Sequence, residues 1–417
     1  MTTLRAITLL LLLLFMVATT ECKQCAFKAI FNFGDSNTDT GGFWAAFPAQ
    51  APPHGMTYFN KPVGRATDGR VVVDFLAQAL DLPFLSPYLQ SIGSDYKHGA
   101  NFATLASTVR LPQTSLFVTG LSPFSLEIQL RQMKEFKVKV DELPRKGKSN
   151  LPSPNIFGKS LYTFYIGQND FTGNLARLGI SGVKEFLPQV VFPNCQHHQG
   201  FLLFIMTIYY LKQQYLPSPI LRKTLTRFKR RDHRAFKIEI YALGGRTFWV
   251  LNLAPIGCYP AFLVQLPHNT SDIDQFGCLI SYNNAVVDYN NMLKAALAKT
   301  RKDLADANVV YVDTHTVLLE LFQHPTSHGL RYGTKACCGY GGGLYNYNQQ
   351  VFCGNTKQVN GKKVTAKACK DPQNYVSWDG VHATDAANKL TAYAILNGSY
   401  FDPPFPLHKY CDIQPIG

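Results

Sequence analysis

The chain has 417 residues, of which 46% are apolar and 16% charged, and its formal net charge is +14. The low charged share excludes a disordered polyelectrolyte. The length fits two or three ordinary domains, or one large α/β domain with insertions. Whether the positive charge indicates an anionic partner depends on where along the chain it lies.

The N-terminus has the layout of a secretory signal peptide. Arg5 is followed by a leucine-rich apolar run at 7–17 and then by small residues. This run is shorter than the roughly 20 residues that span a bilayer, which disfavours a membrane anchor. We therefore predict a signal peptide at 1–22, cleaved after Thr20 or Cys22, and an exported protein without a transmembrane anchor.

Downstream, short strands alternate with helices. The strands are apolar, rich in β-branched or aromatic residues and bounded by turn residues, as buried parallel strands are. They are predicted at 29–33, 161–166, 248–253 and 309–312. Helical periodicity predicts helices at 72–80, 281–305 and 383–396. The alternation favours one doubly wound α/β domain.

The turn after the first strand is the first candidate for chemistry. Gly34, Asp35 and Ser36 follow the strand directly, and the carboxyl ends of parallel strands are where α/β active sites lie. A serine hydroxyl is a poor nucleophile unless a base takes its proton. Ser36 is therefore a candidate nucleophile, although such turns also serve as ordinary helix caps.

A similar turn follows the strand at 161–166. Parallel neighbours end on the same side of a sheet, so Asn169 can direct its side-chain amide at the site of Ser36. An amide in this position is a suitable donor to an oxyanion. The alternative is that Asn169 only caps the following helix.

Residues 192–236 differ from the rest of the chain. An apolar run at 201–211 has neither helical nor alternating period, and the segment's eight Lys and Arg are opposed only by Asp232. Half of the net charge is therefore concentrated here. A nucleic-acid or membrane patch is one interpretation, which we disfavour. Outside this segment the charge of the chain is unremarkable.

A short loop near the C-terminus completes a catalytic constellation. Asp379 lies three residues before His382 and can orient its imidazole. The imidazole can then take a proton from Ser36 and return it to a leaving alcohol. Since the chain has 11 histidines, a chance Asp-x-x-His pair on a surface loop is the alternative.

Together these motifs make the sequence resemble the plant secreted branch of the GDSL esterase/lipase family, within the SGNH-hydrolase superfamily. The resemblance covers nearly the whole chain. Beyond the three turns it rests on blocks at 64–70, 99–103, 253–258, 336–343 and 401–405. It implies a single domain at 23–417, a flavodoxin-like three-layer sandwich with a mostly parallel central sheet, and a location in the apoplast or cell wall.

The resemblance also implies a role for each motif. Ser36 is the expected nucleophile, His382 the general base and acid, and Asp379 its partner. Asn169 and the Ser36 backbone N–H are expected to donate to the oxyanion. The expected substrate is a carboxylic ester, of a small molecule, a lipid or an acylated sugar, cleaved through an acyl-enzyme without metal or cofactor. No nucleic-acid partner is expected, and the oligomeric state is not indicated.

The sequence departs from the family pattern at two places. Leu105 and Ala106 stand where glycines are usual, in a block that commonly supplies a third oxyanion donor. Any non-proline residue keeps its N–H, so this donor depends on the local geometry. In addition, the chain of relatives has only a short connection between the helix near Val191 and the stretch that begins at Ile240. We interpret 192–236 as translated non-coding sequence from a mis-spliced transcript or gene model, with a real surface insertion as the alternative.

The ten cysteines suit an oxidising compartment. A zinc site is disfavoured, because no Cys-x-x-Cys pair faces a second pair at metal-site spacing. Eight cysteines remain without Cys195 and after cleavage at Cys22, and their pairing is left open. Asn269 and Asn397 lie in glycosylation sequons.

Two other functions stay open. The protein could bind a carbohydrate or lipid with the same fold but without turnover, which the insertion and the altered glycine block permit. A glycosidase of the fucosidase type would need paired carboxylates, for which Asp35 and Asp379 are candidates. That function would leave Ser36, His382 and Asn169 without a role.

Overall fold

The computed structural model describes residues 25–47, 49–112, 120–143, 149–191 and 239–417. The predicted signal peptide at 1–22 and the segment 192–236 lie outside the described residues, as do Cys22 and Cys195. Both predictions therefore stay predictions.

Within these described ranges, strands form one six-stranded sheet and two smaller ones, and the large sheet has the order β2-β1-β3-β4-β5-β10. The strands are β1 (Ala29–Gly34), β2 (Gly99–Asn101), β3 (Ser160–Tyr165), β4 (Thr247–Leu251), β5 (Asn308–Val312), β6 (Tyr332–Ala336), β7 (Thr356–Val359), β8 (Lys362–Thr365), β9 (Tyr375–Ser377) and β10 (Phe401–Asp402). In the large sheet β1 to β5 are parallel, and β10 pairs antiparallel with β5 at the edge. The order 2-1-3-4-5 is that of flavodoxin-like folds, which confirms the predicted fold class.

Nine helices lie among the described residues. They are α1 (Gly42–Ala46), α2 (Val72–Ala79), α3 (Leu126–Glu142), α4 (Gln168–Val191), α5 (Glu239–Ala242), α6 (Pro260–Gln265), α7 (Ile280–Asp303), α8 (Thr314–Gln323) and α9 (Asp385–Asn397). The three helices expected from periodicity correspond to α2, α7 and α9, with bounds shifted by one or two residues. α4 is interrupted at Gly179, where φ is +62°.

Two hydrophobic cores, one on each face of the sheet, produce the three layers. Along β1, Phe31 and Phe33 point into one core and Ile30 into the other, because successive strand residues face opposite sides. Side chains of α3, α4 and α7 fill the first core, and those of α2 contribute to the second. The four predicted strands are buried on both faces, which explains why their sequences are nearly continuous apolar runs.

Four disulfides join all eight cysteines of the described residues and so decide the pairing that the sequence left open. They are Cys25–Cys411, Cys258–Cys278, Cys337–Cys369 and Cys338–Cys353. The last two disulfides cross-link residues 337–369. This range leads from β6 towards β9 and includes the β7–β8 hairpin, and we call it the stapled segment. Within the part of the chain described, no helix is long and apolar enough to cross a membrane.

Candidate active site

The turns after β1 and β3 lie side by side at the carboxyl edge of the sheet. Gly34 is paired with Tyr165 at the last register position, so the residues that follow both strands leave the sheet together. Gly34 has no room for a side chain, since a Cβ would lie 2.5 Å from Thr38 Oγ1 and 2.6 Å from the Tyr165 carbonyl oxygen. The Asn169 amide nitrogen is 3.3 Å from Asp35 Oδ2, which places it next to the Ser36 turn as predicted.

A continuous hydrogen-bond chain joins Ser36, His382 and Asp379. His382 Nε2 is 2.8 Å from Ser36 Oγ, and its Nδ1 is 2.7 Å from Asp379 Oδ2. The side chains of His382 and Asp379 are only 15% and 16% exposed. The three residues that the sequence proposed as a catalytic set are thus in mutual contact, with the geometry of a nucleophile, its base and the group that orients the base.

The loop carrying His382 has its own internal bonds. Asp379 Oδ1 accepts from the backbone N–H groups of Val381 and His382, each at 2.9 Å. Gly380 adopts a φ of +99°, a conformation that glycine accepts without strain. Asp379 therefore binds both the backbone and the ring of His382, which fixes the ring relative to the carboxylate.

Electrostatics favour a charged Asp379 and a basic His382. Burial would lower the pKa of His382, but the Asp379 charge, its hydrogen bond and the charge of Asp35 outweigh it, and the pKa is raised above 6.5. Burial would raise the pKa of Asp379, but the nearby His382 and the loop hydrogen bonds bring it below 3.8. Burial raises the pKa of the neighbouring Asp35 to about 6.

Candidate oxyanion donors lie on the Ser36 turn and on the two turns connected to it. Among the described residues, neither the Ser36 N–H nor the Ala106 N–H has a hydrogen-bond acceptor. The Asn169 amide donates to the Ser107 carbonyl oxygen at 2.9 Å, which connects it to the block around Ala106. Ala106 has a φ of +62°, so this alanine adopts the left-handed turn where the family usually has glycine. The Leu105 N–H is bonded to Asp39 Oδ2 at 2.8 Å and is not available as a donor.

Sequence reasoning missed two residues that shape the site. Asp39 is fully buried and accepts backbone N–H groups of Gly41, Gly42, Phe43 and Leu105, tying the Ser36 turn to the Ala106 turn. Its position three residues after Ser36, before two glycines, was a signal for this turn. Tyr347 packs against Gly380, and no local pattern indicates that contact because the residues belong to separate stretches of chain.

Both sequon asparagines are exposed, Asn269 next to a short turn and Asn397 at the end of α9. Their glycosylation stays a prediction.

Comparison with known proteins agrees with these observations. The model of the GDSL-like lipase/acylhydrolase family matches residues 30–395. The chain is 58% identical to a GDSL esterase/lipase of Arabidopsis thaliana, over 93% of this chain and 92% of the relative. It is 40% identical to an Arabidopsis thaliana protein named alpha-L-fucosidase 3, over 89% and 91% of the two chains. It is 38% identical to a Hevea brasiliensis protein named esterase, over 97% and 94%.

Proposed function

This chain belongs to the GDSL-like lipase/acylhydrolase family and is a carboxylic ester hydrolase, and we propose that it works through an acyl-enzyme on Ser36. The observation that carries the proposal is the Ser36–His382–Asp379 hydrogen-bond chain at the carboxyl edge of the sheet. This arrangement can activate a hydroxyl without a metal or cofactor, because the base is a side chain.

Acylation begins when Ser36 Oγ attacks the acyl carbon and His382 Nε2 takes the hydroxyl proton. The resulting imidazolium is stabilised by Asp379, whose carboxylate is 2.7 Å from Nδ1. As the carbon–oxygen bond of the ester breaks, His382 gives the proton to the leaving alkoxide, and the alcohol departs. Water then attacks the acyl-enzyme with His382 as base, which releases the acid and restores Ser36.

The negative oxygen of each tetrahedral intermediate needs preorganised donors. We assign this role to the N–H groups of Ser36 and Ala106 and to the Asn169 amide. The two N–H groups have no other acceptor among the described residues. The Asn169 amide has a contact with Asp35 at 3.3 Å, which is long for a hydrogen bond and can be exchanged for the developing oxyanion.

A fluorophosphonate probe tests the proposal, because it reacts covalently with an activated serine hydroxyl. The wild-type protein should be labelled and should hydrolyse p-nitrophenyl acetate, and Ser36→Ala should lose both properties. Ser94→Ala is the matched control, since Ser94 is also buried and its hydroxyl donates to the Gln90 carbonyl, away from any base. Absence of labelling in well-folded wild-type protein would contradict the acyl-enzyme and favour a binding protein without turnover.

A fucosidase-type mechanism is not supported by the carboxylates that it would need. Asp35 is fully buried and bonded to Asn37 and Asn169. Asp379 uses one oxygen for the His382 ring and the other for two backbone N–H groups. Fucose release from a chromogenic fucoside that persists in Ser36→Ala would revive this function.

We further propose that the protein is exported to the apoplast or cell wall and acts there on small-molecule, lipid or acylated-sugar esters. The four disulfides of the described residues support an oxidising compartment. N-terminal sequencing of protein collected outside the cell should begin at residue 21 or 23. Retention of the leader, or purely intracellular protein, would contradict export.

A further inference from the structure

The loop carrying Asp379 and His382 lies outside the six-stranded sheet and is held from several sides. The backbone N–H groups of Cys337 and Cys338 donate to the carbonyls of Ser377 and Trp378, at 3.0 and 2.6 Å. On another side, the Ala261 N–H at the start of α6 donates to the Gly380 carbonyl at 3.0 Å.

Tyr347 provides the third contact. A Cβ placed on Gly380 would lie 2.5 Å from Tyr347 Cδ2 and 2.9 Å from Cε2, so the ring occupies the space beside this glycine. The Tyr347 hydroxyl accepts a hydrogen bond from Gln265 Nε2 at 2.9 Å. Tyr347 belongs to the stapled segment, where Cys338–Cys353 closes a loop around it. The position of the ring is therefore restricted by the Cys338–Cys353 disulfide of its segment and by the hydrogen bond from Gln265 of α6.

The internal bonds of the loop cannot by themselves align His382 with Ser36. They join residues two or three positions apart, whereas Ser36 and His382 are 346 residues apart in sequence. Placement of the whole loop must therefore come from what packs against it. Gly380 is the residue most able to move, because it has no side chain and can adopt backbone conformations that others cannot.

We propose that Tyr347 is a positioning residue, whose ring blocks movement of Gly380 and so keeps the His382 imidazole in line with both Asp379 and Ser36. The inference rests on the proposed acyl-enzyme function and extends it to the stapled segment. The ring acts through the loop and needs no contact with substrate.

Loss of this positioning has a signature in the pH profile. His382 is faced by Asp379 from its own loop, Asp35 from the Ser36 turn, and His54 from the loop packed on Trp378. Asp379 raises the pKa of His382 most among these groups. Tyr259 and Tyr347 both face Asp379 with raised pKa values, and they stay neutral at neutral pH. A loosened Asp379–His382 contact should therefore lower the midpoint of the acid limb of kcat/KM.

The experiment compares three variants of the full chain with disulfides intact, using p-nitrophenyl acetate. Tyr347→Ala should lower kcat by roughly 10- to 100-fold, the effect of a displacement of about 1 Å, with KM changed by less than about twofold and the acid midpoint moved to lower pH. Tyr347→Phe keeps the ring and loses only the bond to Gln265, so it should have the wild-type kcat and the wild-type midpoint of the acid limb.

Phe352→Ala is the matched control. Phe352 is an exposed aromatic residue of the same stapled segment, and its truncation should leave kcat and the midpoint unchanged. If Tyr347→Ala does not fold, Tyr347→Leu, which has less reach over Gly380, replaces it with the same expected direction.

Two results would overturn the inference. One is wild-type kcat and midpoint in Tyr347→Ala. The other is an equal loss in Tyr347→Ala and Phe352→Ala with no change of midpoint, which would indicate general destabilisation. Failure of the proposed function gives a different result, because the wild-type protein itself would then not be labelled by the fluorophosphonate probe. That result would contradict the inference as well.

Discussion

The two halves of the candidate site are held by different kinds of structure. Ser36 and Asn169 follow β1 and β3, which pair in parallel along their whole lengths in the centre of the large sheet. Asp379 and His382 follow β9, a three-residue strand whose two-stranded pairing with β6 is irregular. Disulfides and packed side chains take the place of a continuous ladder there.

This difference indicates where each half is vulnerable. The strand-end half depends on buried backbone hydrogen bonds and two aromatic cores, which are lost only when the domain unfolds. The loop half depends on a few contacts from the stapled segment and α6. Loss of these contacts should therefore reduce catalysis without first disrupting the sheet.

The largest expected effect is from Asp379→Asn in the loop half. The amide can keep an oxygen near the backbone N–H groups, but it removes the charge beside Nδ1 and can favour the wrong imidazole tautomer. We expect kcat to fall by about 10⁴-fold while the melting temperature stays within a few degrees. A loss of less than tenfold in steady-state ester hydrolysis would show that Asp379 is not the required partner.

The corresponding test of the strand-end half is Asn169→Ala. Loss of one oxyanion donor should lower kcat by about 10²- to 10³-fold, while the protein stays folded. Circular dichroism and kcat measured on the same preparation separate the two effects. Unchanged kcat would assign Asn169 to the bond with Ser107 alone.

The pH profile tests the connection between the halves. His382 must be neutral to accept the Ser36 proton, and its pKa is raised above 6.5. Activity should therefore be full at alkaline pH and fall as pH drops through a midpoint above 6.5, by roughly tenfold for each further pH unit. A profile of kcat/KM that is flat from pH 8 to about 4, where a histidine is fully protonated, would contradict this role of His382.

Removing single disulfides should distinguish the halves directly. Cys337→Ser with Cys369→Ser opens the larger loop of the stapled segment and leaves Cys338–Cys353 intact. We expect kcat to fall by about tenfold at a temperature well below unfolding. Cys25→Ser with Cys411→Ser is the matched control, because this disulfide packs in the second core, whereas those of the stapled segment pack with Trp378 in a separate cluster. Each pair should lower stability by about 2–5 kcal/mol, but the control should keep its kcat.

The smallest expected effect is from Ala106→Gly. A left-handed conformation costs an L-residue about 1–2 kcal/mol. Glycine avoids this cost, but it loses more chain entropy on folding, which offsets the gain by about 0.5–1 kcal/mol. We expect a gain in unfolding free energy of up to about 1 kcal/mol in urea titrations, with kcat within twofold. Ala106→Val should be destabilised, since a β-branched residue fits this conformation poorly. A destabilised Ala106→Gly would contradict the turn.

Sequence patterns predicted most of the sheet and the candidate residues for clear physical reasons. β1, β3, β4 and β5 are buried on both faces, so they stand out as apolar runs. β2 and β10 have three and two residues, which is too short to form a pattern. The strand predicted at 161–166 ends at Tyr165, and the one predicted at 248–253 ends at Leu251, because the next residues already belong to the turns at the sheet edge.

What the sequence alone determined was chemistry that is local in the chain: the α/β alternation, the Ser36 and Asn169 turns at strand ends, and the spacing of Asp379 from His382. Only the tertiary structure decided the contacts between distant stretches, namely the disulfide pairing, the Asp39 bond to the Leu105 N–H beside the Ala106 turn, and the Tyr347 ring against Gly380. Side-chain periodicity and turn preference act over a few residues, whereas packing between separate segments depends on how the whole chain closes around its two cores.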